Sequence, residues 1–305
     1  MVAFAAGGGD RGRKRVSRPS GETGSLLILA GAVLWGTTGT AQAFAPPGAD
    51  PLSVGAVRIV IGGLALLAVA ALRGELSGHR WPPLPVAVAA CGIACYQPLF
   101  FAGVLKTGVA LGTIVAIGSA PVAAGIIGAI FRGERPGRRW VAATALAVAG
   151  CALLVGGGGG VSVEATGVLL ALGAGLSYGV YATATKVLLE DLPYTAVMGV
   201  AFGLGALLLS PVLLLSPPGW LADPRGAAVA LELGLVATAA AYLLFARGLS
   251  AVPVSTAATL SLAEPLTAGL LGILVLGERP GAVSLAGAAL LLGGLALAAR
   301  EREAG

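Results

Sequence analysis

The chain has 305 residues, 57% of them hydrophobic and only 11% Asp, Glu, Lys or Arg, where an average soluble protein carries about 25% charged residues. Its mean hydropathy of +0.93 means more apolar surface than a soluble core of this length can hide, and a chain this apolar is not disordered. Three Cys exclude a disulfide framework, so what remains is an all-α polytopic membrane protein, for which 49 Gly allow close helix packing.

Arg11, Arg13, Lys14, Arg15 and Arg18 precede the first apolar run. That run is too long for a signal-peptide core and a second follows at once, so residues 1–20 are expected to be a disordered cytoplasmic tail before a retained helix. Runs long enough to cross about 30 Å of hydrocarbon lie at 25–44, 52–72, 84–105, 108–131, 140–156, 166–185, 194–215, 226–246, 252–276 and 281–299. Breakers separate them, among them Ala45-Pro46-Pro47-Gly48 and Ser216-Pro217-Pro218-Gly219. Residues 157–165 form a Gly-rich linker, and 300–305 a second short cytoplasmic tail.

With the N-terminus inside, 15 of the 19 Lys and Arg fall on the cytoplasmic side; Lys106, Arg225 and Arg279 fall outside and Arg58 lies within a span. Both termini are therefore expected to be cytoplasmic. The same bias accounts for the net charge of +5 without a nucleic-acid partner.

The chain also repeats itself at an offset of 144 residues: SAPVAAGIIGAIFRGERP at 119–136 becomes AEPLTAGLLGILVLGERP at 263–280, with eight of 18 positions identical. Pro121/Pro265, Gly125/Gly269, Gly128/Gly272 and the Gly-Glu-Arg-Pro loops match, and Phe101/Phe245 and Leu105/Leu249 extend the match upstream. The expected units are 25–156 and 166–299, five helices each. Five is odd, so the second unit enters the membrane in the opposite sense, as in secondary transporters with a substrate site between inverted halves.

On these features the sequence resembles a bacterial drug/metabolite transporter of the EamA type. The resemblance covers nearly everything after residue 20 and rests on the duplicated five-helix unit, Trp35-Gly36, Arg58 and the proline-to-Gly-Glu-Arg pattern of the fourth and ninth spans. Glu264-Pro265 followed by Leu276-Gly277-Glu278-Arg279 is its most specific piece, and the first repeat departs from it with Ala120 in place of Glu264. The resemblance implies a central cavity lined by spans 1, 3, 4, 6, 8 and 9, with 5 and 10 peripheral.

Pro121 and Pro265 each sit about 13 residues into their spans, and paired interruptions near the midplane point to a transporter site, although a proline kink can also serve packing alone. Glu264 beside Pro265 puts a carboxylate at the midplane, at a cost of about 2.5–3.5 kcal/mol on insertion scales. It is a candidate proton carrier or a ligand for a substrate amine, or else a neutral group holding two helices together. Arg58 and Glu232 are the other charges inside spans; they pair with each other or snorkel to the outer interface, the second being the simpler expectation for Arg58.

Polar and aromatic residues recur at helical spacing: Trp35, Thr38 and Gln42; Tyr96-Gln97; Thr113 with Ser119; Tyr178, Tyr181 and Thr185; Thr238 and Tyr242; Ser261 and Glu264. Such faces turn away from lipid. Converging, they make a cavity with aromatic walls and a few hydroxyls and amides, suited to a small amphipathic organic solute; apart, they are interhelical hydrogen bonds. The cavity candidates are Trp35, Thr38, Gln42, Tyr96, Gln97, Ser119, Tyr178, Tyr181, Tyr242, Ser261 and Glu264. The Gly-xxx-Gly pairs at 108/112, 175/179 and 199/203 read as packing.

No metal site or cofactor is expected. His79, the single histidine, lies in a charged loop, and Cys91 and Cys95 have no further ligand in their span. The Gly156–Gly160 run lacks the Gly-Lys-Ser/Thr of a phosphate loop. The expected function is thus a secondary transporter in a bacterial plasma membrane, an exporter of small metabolites or drug-like amphipathic solutes by alternating access, with protons as a candidate second partner. An importer or uncoupled facilitator is the alternative. An intramembrane lipid-modifying enzyme would want a second acid/base or metal-binding group, and a scaffold would not require the polar interior. Oligomeric state is left open by the sequence.

Overall fold

In hydrocarbon, every backbone N–H and C=O must bond within its own segment, so the apolar runs fold as helices. A computed structural model of the protein describes residues 19–134, 136–156, 164–277 and 279–299. It forms ten helical spans: α1 Gly21–Ala43, α2 Pro51–Leu72, α3 Pro83–Thr107, α4 Leu111–Arg132, α5 Arg138–Gly156, α6 Ala165–Leu188, α7 Tyr194–Leu215, α8 Pro224–Leu249, α9 Val254–Leu276 and α10 Ala282–Ala299. Among the described residues there is no strand. The expected tails and linker lie outside the described residues except at 19–20 and 164–165, as do Arg135 and Glu278 of the Gly-Glu-Arg-Pro loops.

Local chemistry sets the ends. The Ser20 side chain accepts the Thr23 N–H to cap α1, and Asp50 accepts from the Ser53 N–H at the start of α2. Gly133 and Gly277, equivalent positions in the two repeats, end α4 and α9 at φ 65° and 71°, a left-handed conformation that glycine adopts without a steric penalty.

The packing follows the inverted repeat. α2 lies on α7 and α5 on α10, so each of these helices meets its own counterpart. α6 packs against α3 and α4, while its counterpart α1 packs against α8 and α9. α5 and α10 approach backbone to backbone: a Cβ added at Gly150 would strike the Leu291 N–H, and one at Gly287 the Leu154 N–H. Small residues permit such contacts in lipid.

Three spans are irregular, and only one irregularity was anticipated. α9 breaks at Ser261–Leu262 into Val254–Leu260 and Ala263–Leu276, with Glu264 and Pro265 in the first turn of the second piece. There the missing proline N–H costs nothing, because no intrahelical partner is due. α4, by contrast, runs unbroken through Pro121. Only at Pro265 does the interruption take the form of a break in the helix; beside Pro121, α4 lies close on α6, with Gly175 against Ala116 and Gly179 against Ala123 and Ala124. α8 widens into a π-helix over Glu232–Ala240, and α7 turns at Ser210–Pro211.

Candidate functional site

Near the α9 break the helices surround a partly open cavity of about 90 Å³, room for several waters or one small solute. Both repeats line it: Trp35 and Thr38 of α1; Arg58 of α2; Gly92, Tyr96 and Gln97 of α3; Ala116 and Ala120 of α4; Tyr178 and Tyr181 of α6; Phe202 of α7; Tyr242 of α8; Ala258, Ser261 and Glu264 of α9. The helices approach closely because small residues sit at the crossings. A Cβ on Gly36 would collide with the Thr267 side chain and lie 2.8 Å from the Glu264 carbonyl oxygen, and one on Gly92 would lie 2.9 Å from the Tyr181 Cβ.

The aromatic rings interlock. Trp35 stacks obliquely on Tyr242 and Phe245 with centroids 4.8 and 5.3 Å apart, and Phe202 lies 4.4 Å from Tyr242. Such pairs hold one another in place beyond their burial. The Tyr178 and Ser261 hydroxyls are 3.0 Å apart. Ser261 donates to the Ala257 carbonyl at 3.0 Å, so Tyr178 is the donor to Ser261. That bond ties α6 to the break in α9.

Arg58 and Glu232, whose pairing the sequence left open, hydrogen-bond to other residues. The Thr37 hydroxyl lies 2.5 Å from a Glu232 carboxylate oxygen and 2.7 Å from the Leu34 carbonyl oxygen, joining α1 to α8. The Arg58 Nε–H donates to the Thr238 hydroxyl at 3.3 Å, and Thr238 in turn donates to the Leu233 carbonyl five residues back, as the π-turn allows. Arg58 therefore points into the cavity rather than snorkelling to the interface.

Of the sequence candidates, Trp35, Thr38, Tyr96, Gln97, Tyr178, Tyr181, Tyr242, Ser261 and Glu264 line the cavity. Gln42 and Ser119 do not: Gln42 is in the last turn of α1, and Ser119 packs on Gly175, donating to the Ala116 carbonyl at 3.2 Å. Both share a helical face with cavity residues, but the cavity spans too little of α1 and α4 to reach them. Arg58 and Phe202 were missed as cavity residues. They bring α2 and α7 into a lining expected only from spans 1, 3, 4, 6, 8 and 9. An intramembrane arginine was itself a signal for Arg58; a single apolar Phe202 in an apolar helix carried none.

One end of the bundle is sealed. Every residue from Val254 to Ala263 is buried, whereas Leu266 to Leu276, beyond Glu264, are half-buried or exposed except for Gly272. At the sealed end, the Glu134 carboxylate accepts the Val254 N–H at 3.1 and 3.3 Å. Arg132 binds Glu190 at 2.7 Å and lies 3.6 Å from Glu134. Lys186 donates to the Leu249 and Val252 carbonyls at 2.6 and 2.7 Å. These bonds join α4 to α6 and α9, and α6 to the end of α8.

Ten membrane-crossing helices, a duplicated five-helix unit and a largely apolar cavity with a few polar and charged groups between the repeats are the features of a multi-pass membrane transporter for a small molecule. Residues 22–156 and 165–300 each match the EamA-like transporter family, and the chain belongs to that family. It is 47% identical over 271 residues to "Uncharacterized transporter YwfM" of Bacillus subtilis (strain 168), covering 89% of this chain and 92% of that protein. It is 30% identical over 245 residues to the "Probable terminal-alkyne amino-acid exporter" of Streptantibioticus cattleyicolor, covering 78% of this chain and 81% of that one. A solved crystal structure shares the fold at a TM-score of 0.79 and 24% identity, covering 92% of this chain and 97% of that one. As a member of this family the chain is a transporter and not an enzyme.

Proposed function

We propose that the protein exports small organic solutes across a bacterial plasma membrane by alternating access, driven by proton entry through Glu264. The observation that carries this reading is the cavity shared by two repeats of opposite sense. Inverted halves can rock about such a site to open it to either side in turn. The Lys/Arg bias favours cytoplasmic termini, an orientation in which the sealed end would face the cytoplasm and the cavity would open outward. Export as the direction is supported by the exporter named among the relatives.

Glu264 is the coupling candidate because its carboxylate lines the cavity at the break in α9. One carboxylate cannot hold a proton and a cationic solute group at once, so a proton entering from outside would displace the solute there. After a return to the cytoplasmic side, loss of that proton would free the site to load again.

The test is uphill flux into proteoliposomes with and without an imposed pH gradient, wild type beside Glu264→Gln. Flux that needs the gradient and is lost in Glu264→Gln supports the coupled exporter. Downhill flux indifferent to both makes the protein a facilitator and Glu264 structural.

A further inference from the structure

Glu232 is a half-buried acid outside the lining of the central cavity. It stands about two turns into α8 from the end opposite the seal. Among the described residues no cation lies within ion-pair distance of it.

The protons around Glu232 can be counted. The Thr37 hydroxyl oxygen lies 2.7 Å from the Leu34 carbonyl oxygen and 2.5 Å from Glu232 Oε1. Both are hydrogen-bond distances between oxygens, so each contact needs a proton. The hydroxyl supplies one and the carbonyl none. Two bonds therefore form only if Glu232 carries the second proton: Thr37 donates to Leu34, and the carboxyl O–H donates to Thr37. The other carboxyl oxygen points the same way. Oε2 is buried and has no hydrogen-bond partner among the described residues. In an ionised carboxylate it would be a bare charge at membrane depth, which is costly. In a neutral acid it is a carbonyl oxygen, which costs less to leave bare.

The neighbouring helices supply no compensating charge. α1 and α2 are the helices packed chiefly on Glu232–Ala240 of α8. The only charged residue of α1 is Glu22, at its other end. The only one of α2 is Arg58, whose Nε–H is bonded to Thr238 further along α8. On α8 itself Arg225 and Arg247 lie near the two ends, and Tyr242 faces the cavity. Glu232 also opens the π-helical stretch of α8, a distortion found frequently at functional sites.

We propose that Glu232 is a proton-binding site of the transporter, filled in this conformation, and that its proton latches α1 to α8. α1 carries Trp35 and Thr38 into the cavity wall, so the latch holds that wall in place. When the proton passes to water, the carboxyl O–H bond breaks and a carboxylate remains. Thr37 then has two acceptors and one proton, so one of its two bonds is lost. A proton entering from the open end meets Glu232 before Glu264, which lies deeper at the α9 break. This rests on the transport reading above and adds where an entering proton is first held.

The site is tested by infrared spectroscopy of the purified full chain in lipid at neutral pH, with transfer to heavy water as the probe. Wild type should show a carboxylic-acid C=O band that shifts on deuteration. A component of it should be lost in Glu232→Gln, kept in Glu264→Gln and moved to higher frequency in Thr37→Val, where the acid has lost its acceptor. An acid band identical in wild type and Glu232→Gln overturns the proposal, and so does an unmoved band in Thr37→Val, even where Glu232→Gln fails to fold. The latch is read from spin labels at Phe44→Cys and Arg225→Cys, both exposed at the open end, in a background without the three native cysteines. Thr37→Val should broaden the α1–α8 distance distribution. Glu232→Gln, whose amide still donates to Thr37, should leave it as in wild type. An unchanged distribution in Thr37→Val overturns the latch. Neither readout uses a solute, so a missing acid band defeats the proton site while transport stands, and absent uphill flux defeats the coupled exporter while the band remains.

Discussion

Two glycines of α1 show how much a single Cβ decides. Gly36 lets α1 lie on α9 at the level of Glu264, where an added Cβ would meet the Thr267 side chain and the Glu264 carbonyl, whereas a Cβ on Gly39 meets nothing within 4 Å. Gly36→Val is therefore expected to cost about 1–3 kcal/mol, the usual range for overpacking, and to push Glu264 from its place in the cavity. Gly39→Ala should be close to neutral. Thermal unfolding in detergent with parallel flux assays checks this: the first variant should lose transport and melt earlier, the second should do neither. Thr238 is a second such residue. Thr238→Val keeps the shape but removes both the bond to Leu233 and the acceptor for Arg58, at a cost of about 1.5–3 kcal/mol for a lost bond to a charged group. If the hydroxyl orients the guanidinium, solute affinity should fall further than stability does. Much of this scale was legible beforehand. Trp35, Tyr178, Tyr242 and Glu264 stood out because aromatic and acidic side chains are conspicuous in an apolar helix. The direction of Arg58 was not legible, since it depends on a Thr 180 residues away.

At the scale of elements, the spans were readable because hydropathy is a local property, and the glycine-ended α4 and α9 because the repeat displays their stop signal twice. The irregularities were not. Pro121 and Pro265 look alike in sequence, yet α4 continues through its proline while α9 breaks just before its own. The π-turn of α8 has no composition of its own, and the Thr238 bond to the carbonyl five residues back becomes available only once the turn has formed. The start of α9 shows a dependence on distant partners. Pro253 offers no side-chain cap, and the first amide of the helix is instead satisfied by Glu134 from the other repeat. A carboxylate at a helix N-terminus also meets the positive end of its dipole. Together with the Arg132–Glu190 bond, this contact must break for the sealed end to open. Glu134→Gln should weaken the seal by about 0.5–2 kcal/mol, the range for a lost cap, which is about 2- to 30-fold in the open population. In a background without Cys91, Cys95 and Cys151, a cysteine at Ala258 should then react with maleimide from the sealed side faster by about that factor. An unchanged rate would mean that the contact does not hold the seal.

For the whole molecule, the two halves repeat in sequence but not in charge. An offset of 144 residues sets Lys186 against Gln42, Arg132 against Leu276 and Glu190 against Pro46. The side chains that lace the sealed end thus have no charged counterparts at these three positions of the other end. Equal halves would make the two access states equally stable; these substitutions favour the state that is closed at the laced end. Its biological meaning depends on which way the molecule faces. The Lys/Arg bias that orients the chain and the lacing draw on the same residues, Arg132 and Lys186, so the orientation has to be measured independently of the seal. In the same cysteine-free background, Pro47→Cys in the α1–α2 loop should react with a membrane-impermeant maleimide on intact cells. Ser77→Cys in the α2–α3 loop should react only in inverted vesicles. Both positions are exposed, and neither touches the charged cluster. That outcome places the seal at the cytoplasmic face, so that an exporter would rest open to the outside, ready for a proton, and would need work to open inward and load. Labelling in the opposite sense would place the same seal outside. The resting state would then be open to the cytoplasm, with the solute rather than the proton binding first.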